Sequence, residues 1–203
     1  MHSQPDPTET FGPDRLLALS DGMFAVALTL LILDIHLPEG PKEHLGAALV
    51  SIAPRLGIFV LSFAIVAYYW FIHHLIFLYV RSASRRLLWA SLLFLLMIVI
   101  LPFSAGVLGR YPLTPIALAT FGLNIAACSL TLWLTWVLAR RGGHVVNVAP
   151  EQRRYIDRRF AISPVLAIAA VAVSRFLPWV SLALFVAVPV SYALTSQPVS
   201  RRS

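Results

Sequence analysis

Residues 15–34 read Arg15-Leu-Leu-Ala-Leu-Ser20-Asp21-Gly22-Met-Phe-Ala-Val26-Ala-Leu-Thr29-Leu30-Leu-Ile-Leu33-Asp34. A helix needs about 20 mostly apolar residues to cross the hydrocarbon core of a bilayer. The apolar run continues to Leu37 and stops at Pro38-Glu39-Gly40-Pro41, which predicts a first span over about Arg15–Leu37. An ionisable group inside a span is costly unless it is paired or wet, so Asp21 marks a candidate site by default. The plain alternative is that Asp21 lies near the interface and solvates that end of the helix.

The rest of the chain extends the membrane reading. Of 203 residues, 59% are hydrophobic and 12% charged, with mean hydropathy +0.80. A soluble domain carries about 25% charged residues, so too little polar surface exists here to coat a water-soluble globule. Further spans are predicted over about Leu45–Phe71, Leu87–Leu108 and Leu113–Leu138, the last opening after Pro112 and Pro115. Two shorter ones follow, about Ile156–Ser174 and Trp179–Leu194, separated at Arg175-Phe176-Leu177-Pro178 because proline cannot extend the preceding helix. The expected fold is therefore all-α, a polytopic membrane protein of six helices, with five the alternative count. Residues 1–14 and 195–203 are the expected tails, and 15–194 the membrane domain.

Charge placement favours six. Arg81, Arg85 and Arg86 fall between helices two and three. Arg140, Arg141, Arg153, Arg154, Arg158 and Arg159 fall between four and five, and Arg201 and Arg202 follow helix six. The opposite loops hold only Lys42, Arg110 and Arg175 as Lys or Arg, with Glu39 and Glu43 beside the first. The positive-inside rule then puts both termini in the cytoplasm of a multi-pass cell-membrane protein. The net charge of +7 is gathered in these loops, which fits membrane topology rather than a nucleic-acid groove. The start lacks a basic n-region before an apolar core, so no cleavable signal peptide is expected.

At about 100° per residue, Gly22, Val26, Leu30, Leu33 and Leu37 share one stripe of the first helix, with Thr29 on its flank. Asp21 points well over 90° away from Val26, towards neighbouring helices. Such a stripe either lines a pore as stacked apolar rings or is apolar packing, and packing is the commoner fate. His73 and His74 end the second span. Adjacent histidines point about 100° apart and do not chelate, so no metal site is expected; either could bond Asp21 at the same membrane face.

Asn124, Ser129, Thr131 and Thr135 on helix four, and Ser104 after Leu101-Pro102-Phe103, are read as structural bonds between packed helices. Cys128 reads as a small packing residue. Trp70, Trp89, Trp133, Trp136 and Trp179 sit towards run ends, as interfacial aromatics do. The sequence holds no nucleophile–base pair, phosphate loop or carboxylate cluster, no TVGYG filter and no internal repeat, so neither an enzyme nor an inverted-repeat transporter is indicated.

Arg15-x-x-x-Leu19-Ser20-Asp21-Gly22, followed by Thr29-Leu30-Leu31, resembles the signature of the transmembrane-protein-175 family of potassium channels. Leu19 stands where the family has phenylalanine. Trp70, His73 and His74 resemble the family's Trp-x-x-His-His, and Leu101-Pro102-Phe103 a further feature of its third helix. The resemblance covers the first half by motif and the second by length and helix count.

It implies a homotetramer in membrane lipid around a central pore lined by the first helix, with potassium as the permeant species, no cofactor and no metal held beyond transient potassium. By motif, Val26, Leu30 and Leu33 would form the stacked constriction, with Thr29 offering hydroxyls beside it. Arg15, Ser20, Asp21, Trp70 and His73 or His74 would form a supporting polar network. Val26 is smaller than the family's usual isoleucine or leucine. The rival readings are a proton-coupled carrier using Asp21 with a histidine, and a non-conducting membrane scaffold. Carriers place ionisable groups near the midplane, whereas these cluster at one end.

Overall fold

The computed structural model describes residues 13–39, 41, 44–146, 148 and 150–195. These form six α-helices: α1 (Pro13–Leu33), α2 (Leu45–Phe77), α3 (Arg85–Arg110), α4 (Pro115–Arg141), α5 (Pro150–Val173) and α6 (Pro178–Thr195). Four of them, α1 to α4, are long and apolar enough to cross a membrane, while the apolar parts of α5 and α6 are shorter. The two expected tails lie almost wholly outside the described residues, as do Lys42, Glu43, Arg201 and Arg202.

Helix ends follow local chemistry. α3 starts at Ser84, whose extended backbone lets its hydroxyl accept from the Leu87 amide at 3.4 Å. α4 opens with Pro115 in its first turn, where a missing amide hydrogen costs nothing. Between them Leu113 adopts φ 63°, a left-handed conformation unfavourable for a branched side chain. Three expected boundaries move by four residues or more. α1 stops at Leu33 rather than Leu37, which leaves Leu37 outside the helical stripe. α2 continues six residues past Phe71 to Phe77, carrying both histidines into its last turns. α5 begins at Pro150 rather than Ile156, because its polar, arginine-rich start is helical too.

The core is built where α3 packs on α4. Phe94, Leu95, Ile98 and Leu101 meet Leu118, Phe121, Ile125 and Leu132, all at most 2% exposed. α2, α5 and α6 close around this pair. Gly122 brings α4 against its neighbours: a Cβ there would stand 2.5 Å from Val171 Cγ2 and 3.0 Å from Phe185 Cζ.

Proline at position 102 deprives α3 of one backbone bond. Beside it Asn124 donates from Nδ2 to the Met97 carbonyl at 3.1 Å, and its Oδ1 lies 3.0 Å from the Ser104 hydroxyl. One side chain of α4 thus bridges α3 on both sides of the proline. The Tyr69 hydroxyl lies 2.9 Å from the Ile125 carbonyl, 2.7 Å from Ser129 Oγ and 3.2 Å from Ser163 Oγ, joining α2, α4 and α5. Thr131 and Thr135 instead bond back to carbonyls of their own helix, so the expected cross-helix role holds for Ser104, Asn124 and Ser129 only.

At the arginine-rich end, the loop after α2 pairs with the loop after α4 through a Val80–Val145 bridge, with the Ser82 hydroxyl 2.9 Å from His144 Nδ1. Trp136 is fully buried and donates from Nε1 to Asp157 at 2.8 Å, while Arg140 holds both Asp157 oxygens at 2.7 and 2.8 Å. Trp136 is therefore a core residue, unlike the four other tryptophans, which are exposed. Cys128 is buried.

Candidate pore helix and its supporting contacts

Among the described elements, α1 packs only on α2 and α3, which leaves it at the edge of the bundle. Its buried residues are Leu16, Ser20, Phe24, Ala27 and Leu31, a single seam at helical spacing. The opposite stripe is uncovered: Val26 is 54% exposed, Leu30 40% and Leu33 64%. Gly22 and Thr29 are exposed on the same side, and a Cβ added at Gly22 would meet nothing within 4 Å. Thr29 turns its hydroxyl back to the Val26 carbonyl at 2.8 Å, which satisfies the donor and leaves lone pairs facing outward.

At the start of α1 the supporting residues divide into two groups. Trp70 donates from Nε1 to Asp21 Oδ1 at 2.8 Å, and the His74 ring stacks on Trp70 with centroids 5.7 Å apart. This group is exposed in the single chain, so Asp21 is not buried against neighbouring helices as its direction suggested. Its partner is also an indole rather than a histidine.

His73 forms the second group. It is buried, with its ring 5.4 Å from Phe94, 4.6 Å from Phe77 and 6.0 Å from Phe24 of α1. Among the described residues its Nε2 has no hydrogen-bond partner. His73 therefore touches the first helix through an aromatic ring. Ser20, also buried, bonds back to the Leu16 carbonyl at 2.7 Å. Arg15 is exposed and enters no ion pair among the described residues.

A second polar contact, at the far end of α1, was not read from the sequence. Asp34 meets Arg110 of α3, with Oδ1 and Nη2 2.5 Å apart. Seventy-six positions separate the two, so no local pattern pairs them. The available signal was the seam itself, because Asp34 stands three residues after Leu31, where the next inward position falls. Among the described residues no group of three or more metal-ligating side chains gathers.

This geometry can be set beside known proteins. The family model described as "Endosomal/lysosomal potassium channel TMEM175" matches residues 15–102. A Streptomyces collinus protein named as a potassium channel is 34% identical over 156 residues, spanning 73% of this chain and 75% of that protein. The chain belongs to the TMEM175 family. The crystal structure of a lysosomal potassium-selective channel TMEM175 homolog from Chamaesiphon minutus superposes with TM-score 0.76 at 26% identity, covering 89% of this chain and 96% of that one. The human protein named "Endosomal/lysosomal proton channel TMEM175" is 41% identical over 92 residues, which are 40% of this chain and 18% of that protein. The TMEM175 match runs over α1, α2 and α3 as far as Pro102. That region holds the uncovered stripe, the Asp21–Trp70 bond and the His73 box.

Proposed function

We propose that the chain is one subunit of a potassium-permeable channel of the cell membrane, a homotetramer whose pore is lined by α1. Val26, Leu30 and Leu33 form stacked apolar rings, with Thr29 beside them. Arg15, Ser20, Asp21, Trp70, His73 and His74 support the helix at its arginine-rich end, where both termini face the cytoplasm. The observation that carries this reading is the uncovered apolar stripe on an edge helix that is pinned to its own bundle along the other side. The names of the bacterial relatives supply the permeant ion.

An apolar ring too narrow for a water column dewets and stops ions, so such rings act as a gate or filter. Passage then favours the ion that dehydrates at lower cost, potassium over sodium. Opening requires the rings to widen, which moves α1 relative to α2 and α3.

The test is ion flux from liposomes holding the purified protein under an imposed potassium gradient. Potassium flux exceeding sodium flux, and not saturating with concentration as a carrier's would, supports the channel. Flux that saturates and requires a proton gradient would replace it with a proton-coupled carrier. Absence of flux from folded, inserted protein would leave a membrane scaffold. Because vertebrate relatives are named endosomal/lysosomal proton channels, a pH-dye arm measures proton flux in the same vesicles.

A further inference from the structure

The seam of α1 runs Leu16, Ser20, Phe24, Ala27, Leu31, at steps of three or four residues. Its next inward position is Asp34, a carboxylate where an apolar side chain would be expected. Its pair with Arg110 is partly exposed, 34% at Asp34 and 60% at Arg110, so the carboxylate is held in this contact by a partner and by room rather than by deep burial. Arg110 of α3 supplies the charge, and Gly106, one turn earlier on α3, supplies the room. A Cβ on Gly106 would stand 2.8 Å from Asp34 Oδ2 and 3.3 Å from its Cγ, so only glycine leaves the carboxylate in place.

A cavity of about 20 Å³ beside it is lined by Asp34, Arg55, Gly106 and Gly109. Arg55 of α2 lines the same cavity, and its Cγ lies 4.0 Å from where a Cβ on Gly109 would stand. α2, α3 and the turn that follows α1 thus border one small cavity at the end of α1 opposite the Asp21–Trp70 bond.

We propose that Asp34, seated over Gly106 and held by Arg110 with Arg55 beside it, is a positioning residue that latches the far end of α1 to α3. Releasing it changes the fraction of time the pore conducts. The second statement rests on the reading of α1 as the pore helix; the first does not. Asp34 acts through the helix it holds and needs no contact with the permeant ion.

The experiment uses the full chain in lipid nanodiscs and liposomes, with Asp34→Asn, Gly106→Ala, Arg110→Gln and Arg110→Lys. Two readouts are taken: amide hydrogen exchange over residues 30–37, and potassium flux per inserted protein. Asp34→Asn and Gly106→Ala are expected to speed exchange in this turn and to shift flux in the same direction by about fivefold or more. Gly106→Ala is the informative variant because it displaces the carboxylate without altering any charge. Arg110→Gln shifts exchange and flux in the same direction, since it removes the partner of Asp34, and Arg110→Lys restores native behaviour.

Exchange and flux unchanged in Asp34→Asn and Gly106→Ala, in a chain that conducts, overturn the latch. So do opposite shifts of flux in Asp34→Asn and Arg110→Gln, which would mark simple electrostatics at a pore mouth. If exchange rises in the variants while the unaltered chain carries no ions, the latch stands and the channel reading falls.

Discussion

Replacing Trp70 by phenylalanine keeps a ring against His74 and removes the only donor that Trp70 offers Asp21 at 2.8 Å. A hydrogen bond to a charged acceptor contributes roughly 1.5–3 kcal/mol in a protein interior. Bonds between membrane helices contribute less, about 0.6 kcal/mol on average and about 1.7 at most, because the separated groups find other partners. Both Trp70 and Asp21 are exposed in the single chain, which places the effect near ~1 kcal/mol, or about fivefold in an equilibrium.

Asp21→Asn keeps an acceptor but loses its charge, and neutral bonds are about half as strong as charge-assisted ones. It should therefore give a smaller change than Trp70→Phe. The double variant should match Trp70→Phe alone, because one bond cannot be lost twice. The assay is potassium efflux per folded channel from liposomes, with thermal unfolding measured on the same preparations. Full additivity of the two single effects would refute the reasoning, as would a Trp70→Phe channel identical to the native one in both readouts.

Three further substitutions separate pore from scaffold. Val26→Ala widens the proposed ring and should raise conductance and lower the potassium-to-sodium flux ratio; unchanged flux would remove Val26 from the constriction. Gly122→Ala forces a methyl group onto Val171 and Phe185, so it should cost about 1–3 kcal/mol of stability, read as a lower melting temperature with flux per folded channel unaltered. Asp157→Asn weakens the bonds to Trp136 and Arg140, and in this partly exposed site should cost about 1 kcal/mol, again visible in melting rather than in ion preference.

Helix number and order were legible because lipid imposes length and apolarity on each span, and proline with arginine marks the ends. The exceptions are instructive. α2 was expected to stop at Phe71, since two histidines look like an interface. An imidazole ring packs well among other rings, and His73 does so against Phe24, Phe77 and Phe94. α5 was placed six residues late, because a span was sought and a helix need not be apolar where it leaves the membrane.

At the candidate site, helical spacing separated the Val26–Leu30–Leu33 stripe from Asp21, and the motif brought Trp70 to Asp21's neighbourhood. Which residue bonds Asp21 depends on how α1 and α2 are rotated against each other, and no single-helix pattern encodes that rotation. The Asp34–Arg110 pair was hidden for the same reason. The glycine that makes room for it, Gly106, carries no side chain to announce a contact.

The central claim is that the uncovered stripe of α1 faces ions. Cysteines introduced singly at Val26, Leu30 and Val60, then treated with a charged thiol reagent during current recording, test this directly. The native Cys128 is buried and stays silent. Val60 of α2 is as exposed as the stripe, at 62%, but lies on another helix. The account predicts that modification at Val26 and Leu30 alters potassium current while modification at Val60 does not. Current unaffected at both stripe positions, with modification verified by mass, would contradict it.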